Sequence, residues 1–222
     1  MTTDPNLSPG RFVDSDSTNV IAFARAAVGD ADSDKEKARR LFYAVRDDIY
    51  YDPYVAFGQP ETYRAGRLIE VGRGFCIPKA ALLAAGARVM GIPARLGFAD
   101  VRNHLASPRL TELMGSDIFT WHGYAELYLG GRWIKVTPSF NLGLCEKFRV
   151  KPLEFDGETD SLLHPFDEDG RRHMDYINDR GSFDDVPFDR IVADFQSRYC
   201  KLYGEYGEGV DGDLAMEMPD NV

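Results

Sequence analysis

Residues 72–93 read Gly-Arg-Gly-Phe-Cys-Ile-Pro-Lys-Ala-Ala-Leu-Leu-Ala-Ala-Gly-Ala-Arg-Val-Met-Gly-Ile-Pro. Ala80 to Met90 is an Ala/Leu-rich run that favours helix, and Gly91-Ile92-Pro93 ends it. Pro78 suits the first turn, where its missing N–H does no harm. Cys76 therefore stands at a helix start. Unpaired backbone N–H groups and the helix dipole favour an anion there, so the sequence predicts a depressed thiol pKa. Gly72 and Gly74 let the chain bend sharply just upstream and let a substrate approach the backbone. The Cys76 N–H is placed to serve an oxyanion hole. Taken alone, the position suits a small buried hydrophobe better. Cys145 and Cys200 lack the helix-start setting and take that plainer role.

Upstream, Ser17 or Thr18 caps a helix to about Val28, with Val20, Ile21, Phe23, Ala24 and Ala27 on one face. Ser33 and Glu36 form a capping box for a second helix to about Tyr50, striped by Leu41, Phe42, Val45 and Ile49. Pro53 breaks the chain after it, because Asp52 is disfavoured from helical geometry. Downstream, residues 94–101 and 124–129 read as strands, the second by its alternation of Tyr124, Glu126 and Tyr128 against Ala125, Leu127 and Leu129. Gly130-Gly131 turns into a third strand, Arg132 to Val136, ended by Pro138. Helices followed by a meander predict an α+β fold, helices packed on an antiparallel sheet. Residues 145–185 read as charged and loop-rich. Val186 to Tyr203 has helical spacing through Phe188, Ile191, Val192, Phe195, Tyr199 and Leu202.

The 222 residues suffice for one well-buried core, and 44% hydrophobic with 28% charged residues is ordinary for a folded protein. The reading divides them into an N-terminal arm (1–16), one domain (17–203) and an acidic tail (204–222), solvated and mobile. Within the domain, residues 40–141 are the core and 142–203 a C-terminal extension. A net charge of −10 with scattered Lys and Arg argues against nucleic acid or an anionic membrane surface as partner. No apolar run approaches the ~18 residues of a membrane span. The first sixteen residues lack the apolar segment of a signal peptide. Three cysteines are too few for a disulfide framework, and a reducing cytoplasm is the expected setting.

A second segment carries chemistry: Trp121-His122-Gly123-Tyr124-Ala125-Glu126-Leu127-Tyr128. His122 opens a core-like strand, which would place its side chain at the sheet edge beside the Cys76 helix. Gly74-Phe75-Cys76 with its helix, Gly91-Ile92-Pro93-Ala94-Arg95, this histidine strand, and Gly130 to Pro138 occur in an order and spacing that resembles the transglutaminase-like superfamily. The resemblance spans about residues 40–141. It implies a papain-like fold and a Cys-His-Asp triad that forms a thioester with a carbonyl substrate. Carried onto this chain, Cys76 is the nucleophile and His122 its base. The family's usual aspartate before the strand-ending proline is Thr137 here, with Asn141 four residues on. Either could orient His122 by accepting a hydrogen bond from the ring, and Thr137 stands at the family position. Gly74, Phe75 and Trp121 flank the pair and are expected to contact substrate. His104 either lines the pocket or is a surface loop residue. His164 and His173 match no metal spacing and read as loop residues.

These readings predict a cysteine-dependent hydrolase or acyltransferase acting on an amide, ester or ketone carbonyl of a small molecule or peptide, with no cofactor and no metal. The alternative is a binding module of the same fold, inactive for want of the triad acid.

Overall fold

The computed structural model describes residues 4–104, 106–164, 166–205 and 207–217. The first three residues of the expected arm, and Tyr206 and the last five of the expected tail, lie outside the described residues. Four helices come first in the chain: α1 (Thr18–Val28), α2 (Asp34–Asp48), α3 (Ala65–Val71) and α4 (Cys76–Val89). Two-residue strands β1 (Tyr50–Tyr51) and β2 (Arg73–Gly74) pair in parallel just before α4. A four-stranded antiparallel sheet follows, built from β3 (Ala94–Asn103), β4 (Ile118–Leu129), β5 (Arg132–Val136) and β6 (Met174–Phe183) in the order β5-β4-β3-β6. Short helices α5 (Pro108–Met114) and α6 (Leu142–Phe148) sit in the connections, and α7 (Phe188–Arg198) with α8 (Cys200–Tyr203) completes the α+β fold.

Helix α4 organises the rest. Every residue from Cys76 to Arg88 is buried, because α1, α2 and α3 pack on its flanks while β3 and β4 cover its remaining face. An all-round apolar sequence suits only such a position. The buried Lys79 ammonium bonds the carbonyls of Arg46 and Ile49, satisfying groups left open at the C-terminal end of α2. The β4–β5 turn forms as its glycines predict: Gly130 and Gly131 take φ of 57° and 84°, the left-handed pair of a type I′ hairpin. Ser33 caps α2, its hydroxyl accepting from Glu36 N at 3.2 Å, although the Glu36 carboxylate turns to Arg39 and Arg40.

Three segments differ from expectation. The arm is docked: Phe12, Val13 and Asp14 are buried, and the Asp185 carboxylate accepts from the N–H groups of Arg11, Phe12 and Val13 at 2.6–3.2 Å. The stretch expected to be loop-rich, residues 145–185, holds the end of α6 and all of β6; β6 is an edge strand with few buried residues, so it lacks the alternation that reveals a strand. The tail folds back. Leu214 is buried, and the Glu217 carboxylate accepts from Tyr54 Oη (2.7 Å), Ser107 Oγ (2.5 Å) and Arg109 (3.0 Å).

Candidate active site

Cys76 is the first residue of α4, and β4 presses against that helix start. A Cβ on Gly123 would lie 3.1 Å from Ile77 Cα and 3.5 Å from Ile77 N, so only glycine gives this approach freely. The Gly123 backbone N–H thereby comes near enough to act on the Cys76 thiol. That group and the N–H groups of Ile77 and Cys76 all favour a thiolate. Burial outweighs them. The Cys76 thiol is pushed up to about 11, where the sequence alone predicts a depressed value. Burial also moves His122, down to about 4, and its Nε2 is enclosed without a hydrogen-bond partner. Thiol and imidazole are therefore both neutral at pH 7.

The residue before His122 sets its direction. Trp121 has φ of 60°, a left-handed conformation that costs a non-glycine residue about 1–3 kcal/mol. The fold over-determines it. Trp121 N donates to Asp100 Oδ1 at 3.2 Å, the indole N–H donates to Asp194 at 2.8 Å, and the Arg180 guanidinium lies 4.5 Å above the ring. Arg180 bonds both carboxylates, and Asn178 donates to Asp100 as well. Tyr199 Oη fixes the strand just ahead, accepting from Thr120 N at 2.7 Å and donating to Ile118 O at 2.8 Å.

Thr137 follows the last β4–β5 ladder pair, Ala125↔Val136, so the register puts it on the sheet face that carries His122. It is fully buried, its N–H donates to Ser161 O at 2.8 Å, and its hydroxyl makes no hydrogen bond. Tyr176 on β6 lies close to His122, its ring centre 6.2 Å from that of the imidazole. The Asn141 amide oxygen is already engaged, accepting from Tyr51 N at 3.1 Å.

Cys76, His122, Phe75 and Trp121 line one cleft, which encloses about 1030 Å³, part of it open to solvent. Gly74, His104, Thr137 and Asn141 do not line it. Gly74 is a packing position, since a Cβ would meet Leu68 Cδ1 at 2.6 Å. His104 bonds Asp175 at 2.9 Å outside the cleft. The structure adds residues that sequence reasoning missed. Tyr51 stands beside Cys76, its phenol held well above the ordinary range by burial and then by that neighbour. Ser139, Phe140 and His173 form another wall, and Phe195, Tyr199, Leu202 and Leu214 close the cleft from the C-terminal segment. The apolar spacing of Phe195, Tyr199 and Leu202 marked a buried helix face; nothing in the sequence marked His173. Among the described residues no cluster of His, Cys, Asp or Glu could hold a metal ion, and no helix is long and apolar enough to cross a membrane.

Among solved structures, the crystal structure of a Cytophaga hutchinsonii protein described as a candidate cysteine protease is similar at 20% identity, with a TM-score of 0.49. The similarity covers 82% of this chain but 46% of that one, so the chain spans about half the length of that protein. No curated protein matches the chain. The sequence model of the transglutaminase-like superfamily matches residues 21–138, more than half of the chain, from within α1 to just past the end of β5. With Cys76 opening α4, His122 on β4 and both lining one cleft, the chain belongs to the transglutaminase-like superfamily.

Proposed function

We propose that the protein is a cysteine-dependent hydrolase or acyltransferase, with Cys76 as nucleophile and His122 as its general base. The observation that carries this reading is the meeting of Cys76, which opens α4, and His122, on β4, in the wall of one cleft, with the Gly123 backbone packed on Ile77 between them. In the first step the Cys76 thiol gives its proton to His122 as sulfur attacks the carbonyl carbon. Backbone N–H groups at the start of α4 hold the developing oxyanion. The tetrahedral species then expels an amine or alcohol, which leaves with the proton from His122, and a thioester remains. Water or another nucleophile loses a proton to His122, attacks the thioester and returns the thiol. Starting from a neutral pair fits this scheme, because His122 need hold the proton only while charge develops on the substrate.

A second reading, a binding module without turnover, is favoured by Thr137 in the place of an acid and by the unpartnered His122 Nε2. Mass spectrometry after brief exposure to p-nitrophenyl acetate separates the two. The catalytic reading expects an acetyl adduct on Cys76, lost in Cys76→Ala and slowed at least tenfold in a folded His122→Ala. No adduct on folded parent protein, or equal labelling of Cys145 and Cys200, would favour the binding module.

A further inference from the structure

The cleft has a composition unlike the rest of the molecule. Charged residues make up 28% of the chain, yet among the described residues no Asp, Glu, Lys or Arg lines this cleft. Its walls are aromatic and aliphatic, with Phe57, Leu110, Met114, Phe140, Phe195 and Leu214 representative. A charged substrate entering it would shed water and meet no countercharge, a strongly unfavourable exchange. An apolar body would gain from the same desolvation.

Away from Cys76 and His122 the wall also carries Asn103, Ser107, Thr120, Ser139 and His173, and of these only Ser139 Oγ and His173 Nδ1 are enclosed with no hydrogen-bond partner. Starting beside Cys76, the ring of Tyr51 meets Phe140 edge-on at 4.8 Å, and Phe140 stacks on His173 at 6.1 Å. His173 is 4% exposed, and its Nδ1 is enclosed with no hydrogen-bond partner. A buried imidazole nitrogen left unpaired is costly, and a ligand that supplies its partner recovers that cost. Burial first, then the neighbouring His164 and His104, hold the ring down to about 4, so at pH 7 it offers a neutral donor and acceptor.

We propose that the cleft takes an uncharged carbonyl compound with an aromatic or aliphatic body, its acyl carbon at Cys76 and a hydroxyl or amide group received by His173. The placement of the acyl carbon rests on Cys76 being the nucleophile, but binding does not require the chemistry, so the two can fail separately. The experiment titrates the full-length Cys76→Ala protein with four primary amides that differ only in body. They are 3-phenylpropanamide, 3-(4-hydroxyphenyl)propanamide, 4-carbamoylbutanoate and 4-aminobutanamide. The last two carry opposite charges, which removes the effect of the chain's net charge. The expected result is 3-phenylpropanamide binding at least tenfold tighter than either charged amide. The phenolic analogue should gain a further threefold or more, a gain kept in Cys76→Ala/His173→Gln and lost in Cys76→Ala/His173→Phe. Equal or tighter binding of a charged amide, or no binding by any of the four, overturns the substrate class. A phenolic gain that survives His173→Phe overturns the role of His173. Binding as expected in a protein whose Cys76 never acylates would remove the nucleophile and leave the binding site standing.

Discussion

A thiol titrating near 11 beside an imidazole titrating near 4 can form an ion pair only against a gap of about seven pH units. At 1.36 kcal/mol per unit that gap is roughly 10 kcal/mol, while two charges ~4 Å apart recover about 4 kcal/mol at an effective dielectric of 20. The neutral pair is thus the favoured resting state. Alkylation of Cys76 by iodoacetamide should therefore be slow at pH 6 and still rising above pH 9, and a plateau by pH 7 would show a preformed ion pair. What the site lacks is an anion next to His122 Nε2: that atom has no hydrogen-bond partner, and Thr137, in the family's acid position, carries no charge. Thr137→Asp should raise the His122 pKa and, through the imidazolium, bring the alkylation profile down by one pH unit or more. Thr137→Asn, which can accept a hydrogen bond but carries no charge, should leave the profile near that of the parent. If both variants fold and neither profile moves, position 137 does not act on His122. This absence was legible in the sequence, because a single position, Thr137, departs from the family pattern. The rise of the thiol pKa was not: it needs the β4 strand and the C-terminal helices closing over the helix start.

At the scale of elements, α4 meets β4 at one contact that a single methyl tests. Gly123→Ala would set a Cβ 3.1 Å from Ile77 Cα and 3.2 Å from Ile77 Cγ1, so strand and helix must part by a few tenths of an ångström. Overpacking of this kind costs roughly 1–3 kcal/mol, and it also withdraws the Gly123 N–H from the sulfur. The expected outcome is a folded protein with a lower urea midpoint and Cys76 acylation slowed at least fivefold. A lower midpoint with unchanged acylation would show that this N–H does not serve the reaction. The elements that make this contact were readable because each carries its own pattern. The Ala/Leu run, Pro78 and the Gly130-Gly131 turn gave α4 and the β4–β5 hairpin, the latter with β5 at its observed bounds. β6 shows only its Met174 buried, and its pairing with β3 joins residues some eighty positions apart, so no local pattern announces it. The Trp121 kink is likewise invisible, depending on Asp100, Arg180 and Asp194 from three separate segments.

Over the whole molecule, the described parts of the arm and the tail are tied back to the rest of the chain, and burial has left two histidines uncharged within it. Six acidic residues made the tail read as solvated, yet Gly207, Gly209 and Gly212 let its backbone lie against Gly58, Val55 and Tyr54, and Leu214 reaches the cleft. Glu217→Ala leaves the Tyr54 and Ser107 hydroxyls and Arg109 without their shared acceptor. It should speed both limited proteolysis within residues 207–217 and Cys76 labelling. Faster proteolysis alone would mean the tail does not control access to the cleft. The buried histidines govern stability in acid. His122 and His173 titrate near 4 in the folded chain against 6.5 unfolded, so between those values the unfolded chain binds more protons. The part of the stability that depends on these two histidines is therefore in place above the unfolded value of 6.5 and falls as pH drops toward 4, by roughly 3 kcal/mol for each. Two such losses are a large part of the 5–15 kcal/mol that holds a typical domain together. Asp52 works in the other direction, because burial raises its carboxyl pKa and the folded chain takes that proton more readily, which blunts the loss. Lys79, brought down to about 7 by burial, adds to the loss between pH 7 and 6, equally with or without His173, and is protonated in both states below that. The measurement is the urea midpoint at pH 7, 6, 5 and 4.5 for the parent and for His173→Phe, whose ring keeps the stack on Phe140. The parent should lose stability steadily below pH 6.5, and the variant should lose about half as much over the same range. An equal slope in both proteins would mean that His173 already carries its proton in the folded state, which its enclosure between Phe140 and the cleft does not allow.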